Sequence, residues 1–164
     1  MRFRTLLLVA ALGAGLAGAG ALARAQHQHT APHDKVGHAP VVDARTPVHF
    51  PESMRTHTLT NMRDHLLALA QIQEALARES FEIAAKTAEQ RLGMSSLALH
   101  GAHDLSKFMP EGMQEVGTTM HRSASRFAVE AQNSAVTGDA KPALAALAVT
   151  MQACVACHAT YRLQ

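Results

Sequence analysis

Hydrophobic positions recur at three- and four-residue spacing along most of the chain after Pro51, a pattern typical of amphipathic helices. Four stripes of this kind predict four helices. The first two stripes are Leu59, Met62, Leu66, Leu69, Ile72 and Leu76, then Phe81, Ala84, Ala88, Leu92, Ser95 and Leu99. The other two are Met113, Val116, Met120, Ala124, Phe127 and Ala131, then Leu144, Leu147, Met151, Cys154, His158 and Tyr161. No segment alternates with a period of two, so we predict an all-α fold, an antiparallel four-helix bundle.

Glycine, aspartate and proline residues predict where the helices begin and end. Residues 101–110 form a loop between the second and third helices, and Gly138 ends the third helix. Asp139 is a good N-cap for the fourth helix, and Pro142 falls in its first turn, where a missing amide donor costs little. The predicted domain therefore spans residues 51–164.

The first 25 residues have the pattern of a secretory signal peptide. Arg2 and Arg4 precede an apolar run over residues 6–22, and small residues flank Arg24 at the expected cleavage site. The alternative is a membrane anchor, but four glycines in the apolar run weaken the case for a spanning helix. We therefore expect cleavage after Ala25 and export to the periplasm, with no membrane attachment afterwards.

Cleavage reverses the sign of the net charge. Loss of Arg2, Arg4 and Arg24 leaves 12 basic against 13 acidic residues, a formal charge of −1 in place of +2. A nucleic-acid-binding surface requires a marked positive balance, so that class of function is excluded.

Residues 26–50 contain three prolines and five histidines without a helical pattern, and we interpret them as a flexible arm. The alternative is a site for copper, nickel or zinc, since imidazole suits these ions. The histidine spacing is irregular and gives no preorganised geometry, which favours a solvated arm.

The segment Cys154-Val155-Ala156-Cys157-His158 carries the chemistry. Two cysteines at this spacing can form thioethers with the two vinyl groups of a haem, and the adjacent imidazole can bind the iron. On a helix, Cys154 and His158 are four positions apart and share one face. The predicted core is rich in alanine and poor in aromatic residues, so a buried macrocycle would supply missing apolar bulk.

Two other uses of paired cysteines fit less well. A thioredoxin-like dithiol requires its first cysteine at a helix N-terminus after a strand, whereas this pair lies near the end of the last predicted helix. A structural zinc site requires further ligands at regular spacing, and the chain has only two cysteines. Covalent haem attachment is therefore the preferred interpretation.

Residues 154–162 read Cys-Val-Ala-Cys-His-Ala-Thr-Tyr-Arg, and this run resembles the cytochrome c′ family, the class II c-type cytochromes. The resemblance covers residues 51–162, and outside the motif it depends on the pattern of helices alone. It implies a four-helix bundle with one haem c near the C-terminus, His158 as proximal iron ligand and Arg162 beside the haem and its propionates. A solvated cation at a helix C-terminus is the alternative role for Arg162. The resemblance also implies pairing through first-helix surfaces, hence a homodimer.

In that family the residue opposite the proximal histidine lies on the first helix and is either apolar, leaving iron five-coordinate, or methionine. Matching helix lengths places this position near residue 62, so Met62 is the predicted distal ligand. Met54, His57 and His65 remain alternatives, as does an open site; Met54 and His57 lie off the main stripe. We expect His100, His103 and His121, in or near the second loop and third helix, to be exposed and without a special role.

These residues predict one-electron transfer with a redox partner protein, because iron bound by His158 and Met62 would change oxidation state with little ligand rearrangement and methionine ligation raises the reduction potential. No substrate-processing residues are required, so we do not expect an enzyme. The alternative is a five-coordinate haem protein that binds nitric oxide or carbon monoxide, with Leu59 or Leu66 lining the site. A third hypothesis is metal buffering by the histidine-containing arm.

Overall fold

The structure is a computed structural model that describes residues 42–164. The predicted signal peptide and residues 26–41 of the predicted arm lie outside this range. The described chain runs β1 (Thr46–Val48), α1 (Glu52–Ala77), α2 (Phe81–Arg91), α3 (Ala102–Leu105), α4 (Glu111–Thr137), α5 (Lys141–Thr160) and β2 (Tyr161–Leu163). Helices predominate, which confirms the all-α class. The two strands were not predicted, because three residues are too few to show an alternating pattern.

The predicted boundary between the last two long helices is confirmed. Gly138 ends α4 with φ of 75°, in the left-handed region that glycine adopts without a steric penalty. The N-cap of α5 is Ala140, one residue after the predicted Asp139. The Asp139 carboxylate nevertheless accepts a hydrogen bond of 3.0 Å from the Lys141 amide, the first residue of the helix. Pro142 lies in the first turn of α5.

The predicted second helix is too long at its C-terminal end. It stops at Arg91 instead of continuing to Leu99, and a 3-10 turn follows over Met94–Ser96. The Ser96 hydroxyl donates 2.7 Å to the Gly93 carbonyl, and the Ser95 amide donates 3.1 Å to the Glu89 carboxylate. These side-chain hydrogen bonds compete with the helical backbone pattern and end the helix. Part of the predicted loop over residues 101–110 is also helical, as α3 and a 3-10 turn.

Close backbone packing joins α1 to α2, α2 to α4, and α4 to α5, whereas α1 and α5 approach each other at few points. The packed pairs enclose one hydrophobic cluster, in which nine of fifteen residues are alanines. We call this cluster the alanine core; it comprises Ala68, Ile72, Ala75, Leu76, Phe81, Ala84, Ala85, Ala88, Leu92, Ala124, Phe127, Ala128, Ala131, Ala143 and Leu147. Short side chains allow the helices to pack closely there.

The predicted buried face of α1 is wrong by about one residue. Its buried residues are Thr58, Asn61, His65, Ala68, Ile72, Ala75 and Leu76. Leu66, placed in the core by the stripe, is 68% exposed, while its neighbour His65 is 8% exposed. Polar side chains occupy the first half of this face because they have hydrogen-bond partners inside, as described below.

The predicted stripe of α5 is also displaced. The residues it buries are Ala143, Leu147, Thr150 and Ala153, while Leu144 and Met151 are exposed. By length and composition α5 is apolar enough to cross a membrane, with a mean hydropathy of 1.5, yet only 22% of that window is buried. Much of the apolar surface of α5 is therefore uncovered in the chain alone.

Candidate functional site

The Cys-x-x-Cys-His motif occupies the final turns of α5. Cys154 and Cys157 are free, half-buried thiols, and His158 is exposed in the last turn. The three residues of the motif thus lie on one helix, with both cysteines half-buried.

A second hydrophobic cluster surrounds this end of α5. Its buried members and the half-buried residues packed against them are Val48, Phe50, Met113, Met54, Met109, Cys157, Tyr161 and Leu163. We call it the methionine cluster. Gly112 at the start of α4 permits its close packing, because a Cβ there would lie 2.7 Å from the Tyr161 hydroxyl. The cluster brings residues before α1 and from α4 against the motif.

The strand pair connects the predicted arm to the motif. β1 and β2 are parallel, with Thr46 opposite Tyr161 and Val48 opposite Leu163. The Arg45 guanidinium donates 3.3 Å to the carbonyl of His158. Residues 45–50, which the sequence assigned to the arm, therefore contact the helical domain directly.

Arg162 lies beside the motif in an incompletely satisfied position. Its Nε atom is 3.6 Å from Oδ2 of Asp43. That buried Nε has no hydrogen-bond partner among the residues that the structure describes. Hydrogen bonds from Arg45 lower the pKa of Asp43 to about 2, and the charge of Arg162 adds to this effect. Arg162 can therefore donate to a further anionic group.

Burial raises the pKa of both cysteine thiols. The thiols are consequently protonated at neutral pH, unlike the reactive thiolate of a dithiol oxidoreductase, whose pKa is lowered. The structure thus gives no support to a disulfide-exchange role for the pair.

The predicted distal residue Met62 is half-buried at the edge of the inward face of α1. Met54, which the sequence placed off the stripe, packs in the methionine cluster together with Cys157. His57 Nε2 donates a 3.1 Å hydrogen bond to the carbonyl of His100, because a carbonyl oxygen can only accept.

Three histidines outside the motif form a buried group, which sequence reasoning missed. His65, His100 and His121 are 8%, 5% and 8% exposed, whereas His103 is exposed. The expectation that His100 and His121 are exposed is therefore wrong. We call His65, His100 and His121 the histidine cluster. His65 precedes the buried Ala68 and Ile72 at spacings of three and seven, and His121 precedes Ala124 and Ala128 likewise; this period was the available signal.

The rings of the histidine cluster lie close together. Their centroids are 4.7 Å apart for His65 and His100, 5.4 Å for His100 and His121, and 6.2 Å for His65 and His121. Over residues 42–164, no set of three or more His, Cys, Asp or Glu side chains is already arranged as a metal centre.

No protein-family model matches the chain, and no curated protein or solved structure does so either.

Proposed function

We propose that this chain is an exported c-type cytochrome that transfers single electrons through one haem attached at Cys154 and Cys157. His158 is the proximal ligand in this proposal, and Met62 the distal ligand. The observation that carries the proposal is the position of the complete Cys-x-x-Cys-His motif, at the end of α5 with Cys157 in an apolar, thioether-lined cluster. When bound, the haem supplies an iron centre that changes oxidation state by one electron.

The residues around the motif fit such a group. The methionine cluster offers apolar side chains to a macrocycle, and the unpaired Nε of Arg162 suits a propionate carboxylate. The sparse approach of α1 to α5, with the exposed apolar surface of α5, also fits a bundle whose fourth side is completed by a cofactor. The four long helices would then be the antiparallel bundle of a class II cytochrome.

The chain's own residues have distinct roles in this proposal. Cys154 and Cys157, both half-buried, would hold the group covalently. His158 binds the iron, and the contact of Arg45 with its carbonyl fixes the end of the helix. Arg162 offsets negative charge beside the group. None of these roles requires a residue that transforms a substrate.

Export to the periplasm belongs to the proposal and is supported by the charged start, apolar run and small residues of positions 1–25.

A homodimer through α1 also belongs to the proposal. Leu66 and Leu67 on α1 are 68% and 53% exposed, which supports a partner on this surface. Sedimentation of wild type and of Leu66→Gln/Leu67→Gln tests the dimer: loss of association in the variant is expected, and a monomeric wild type contradicts it.

Covalent attachment is tested by haem staining after denaturing electrophoresis of protein coexpressed with a haem-attachment system. Wild type should stain, and Cys154→Ser/Cys157→Ser should not. Met94→Ala, which removes an exposed methionine remote from the motif in sequence, is the control and should stain like wild type. An unstained wild type would overturn the proposal.

The distal ligand is tested by absorption spectra of the oxidised and reduced protein, with and without carbon monoxide. A low-spin spectrum with a methionine-to-iron band that is lost in Met62→Ala would support the predicted ligand. Loss of that band in Met54→Ala instead would move the role to the methionine that packs with Cys157. A high-spin spectrum that shifts with carbon monoxide would replace electron transfer by gas binding.

A further inference from the structure

The histidine cluster draws one ring from each of three separate segments, none of them on α5. His65 lies on α1, His121 on α4, and His100 in the turn before α3. Three imidazoles that are all at least nine-tenths buried are unusual, since histidine is only of intermediate burial on average. Neither the proposed haem site nor the alanine core accounts for them.

One pair of ring nitrogens in the cluster lies within direct reach of each other. Nε2 of His65 and Nε2 of His100 are 3.4 Å apart, which is long for a hydrogen bond. Two nitrogens bound to one tetrahedral ion at about 2.0–2.1 Å are separated by about 3.3–3.4 Å. The pair is therefore spaced as two ligands of a shared ion.

In two of the three rings, hydrogen bonds at Nδ1 leave the lone pair on Nε2, where it could bind an ion. The Leu92 carbonyl lies 2.7 Å from Nδ1 of His121, so Nδ1 carries the proton and Nε2 the lone pair. The Ser96 hydroxyl already donates to the Gly93 carbonyl, so at 3.4 Å it can only accept from Nδ1 of His100. His100 thus also presents a lone pair at Nε2. Anchoring the second ring nitrogen in this way is typical of metal-binding histidines.

The backbone of His100 is fixed against α1. His57 Nε2 and Asn61 Nδ2 both donate to its carbonyl, at 3.1 and 3.2 Å. Gly101 follows with φ of 65°, a left-handed conformation that turns the chain towards α3. These contacts hold the His100 ring beside His65 and reduce the entropy lost on binding an ion.

We propose that His65, His100 and His121 bind one divalent transition-metal ion that prefers imidazole ligands, with Zn²⁺ as the probe. His65 and His100 bind first through their Nε2 atoms, and a small tilt of the His121 ring, with Nδ1 still bonded to the Leu92 carbonyl, brings its Nε2 to the ion as the third nitrogen. Three neutral nitrogens and a water molecule complete a tetrahedral shell. The site uses none of the proposed haem ligands, and its presence does not depend on haem.

Two further properties suit this role. Burial lowers the pKa of all three histidines, that of His65 to about 4, so they are neutral and able to bind a cation at neutral pH. The charge of Asp64 acts on both His65 and His100 and opposes part of the added positive charge. Arg91, which pairs with Asp64, limits this effect.

The test measures bound zinc in the full chain after chelator treatment, Zn²⁺ addition and gel filtration. Wild type should retain one equivalent more than His65→Gln or His100→Gln. His121→Gln should bind this equivalent at least about tenfold more weakly, since even an outer-shell change costs about 10–100-fold in affinity. His103→Gln, an exposed histidine three positions from His100, is the matched control and should bind like wild type. Zinc held by the histidines of residues 26–50 contributes equally to every variant.

Equal zinc content in wild type, His65→Gln and His100→Gln would overturn the proposal. If either variant loses its helical circular dichroism, ¹⁵N NMR of the wild-type histidine rings replaces it: Zn²⁺ should move the Nε2 signals of His65 and His100, and unchanged signals would overturn the proposal. A haem spectrum altered in His65→Gln would instead assign His65 to the haem. Haem staining without the extra zinc, or the reverse, separates failure of this site from failure of the proposed function.

Discussion

The alanine core and the methionine cluster differ in how completely the chain fills them. Ala68, Ala84, Ala88, Ala131 and Ala143 are fully enclosed in the core, where helices meet through small side chains. The methionine cluster has three buried residues, and the others packed against it, including Cys157, remain half-buried. The side chains of the alanine core therefore fill it without a further group, while the methionine cluster retains accessible apolar and sulfur-containing surface.

The histidine cluster lies between these regions along two helices. On α1, Met54 precedes His65, which precedes Ala68; on α4, Met113 precedes His121, which precedes Ala124. Each helix thus passes from thioether to imidazole to methyl side chains on its inward side. The alanine core is therefore packed through small side chains. The residues that could bind a cofactor or an ion lie in the methionine cluster and the histidine cluster instead.

The largest expected effect is in the alanine core. Phe127 is 1% exposed among alanines, so Phe127→Ala leaves a cavity that small neighbours cannot fill. We expect the free energy of unfolding to fall by about 3–5 kcal/mol, measured by urea denaturation. Val136→Ala, at a position that is 88% exposed on the same helix, is the control and should cost less than about 0.5 kcal/mol. A loss below 1 kcal/mol for Phe127→Ala would show that the core is not tightly packed.

A large-to-small substitution in the methionine cluster should lower the free energy of unfolding by a smaller amount. Met113 is 9% exposed, but its half-buried neighbours can relax into the space that Met113→Ala leaves. We expect a loss of about 2 kcal/mol in urea denaturation, at the lower end for buried methionine. In haem-bearing protein the same substitution should shift the reduction potential, while Phe127→Ala should not. Equal shifts in both variants would remove the functional distinction between the two regions.

Acid should lower the free energy of unfolding through the histidine cluster. Burial lowers the pKa of His65 from 6.5 to about 4, so between these pH values the unfolded chain binds more protons than the folded chain. The stabilisation is complete above pH 6.5 and is lost as the pH falls, by up to about 1.4 kcal/mol per pH unit for each proton. Urea denaturation from pH 7.5 to 4.5 in chelator should show this slope. It should decrease in His65→Gln and persist in His103→Gln; an unchanged slope in His65→Gln contradicts the buried neutral ring.

The smallest expected effect concerns the outward side of α1. Leu66→Gln changes a residue that is 68% exposed, so monomer stability should change by less than about 0.5 kcal/mol in denaturation at low protein concentration. Ile72→Ala, fully buried on the same helix, should cost about 2–5 kcal/mol. A large cost for Leu66→Gln would restore the face predicted from hydrophobic spacing.

Hydrophobic periodicity predicted the helical class, and Gly138 predicted the turn after α4, because the conformational freedom of a glycine acts locally. The periodicity failed for the rotation of α1, where Asn61 and His65 replace leucines inside. A stripe drawn from apolar residues cannot include a buried polar side chain whose partner, the His100 carbonyl, is 39 positions away. The second helix was overextended for a related reason, since the competing serine hydrogen bonds carry no periodic signal.

The candidate site was predicted in part. Cys154, Cys157 and His158 form a local motif, so the sequence could group them without a fold. The neighbours of that motif come from distant segments: Phe50, Met54 and Met113 reach it through tertiary packing. Their order along the chain gives no measure of this proximity, and the histidine cluster, drawn from three segments, was missed for the same reason.

The pairing of β1 with β2 has a consequence for the timing of maturation. Arg45 and the carbonyl of His158 are separated by 113 positions, so their contact closes a long loop and should form late in folding. Before this step β1 does not lie beside the end of α5, and both thiols are open to an enzyme that modifies them. Afterwards the strand pair lies against that end and both cysteines are half-buried. If the proposed haem is attached, we therefore expect attachment to be faster before strand pairing than after it.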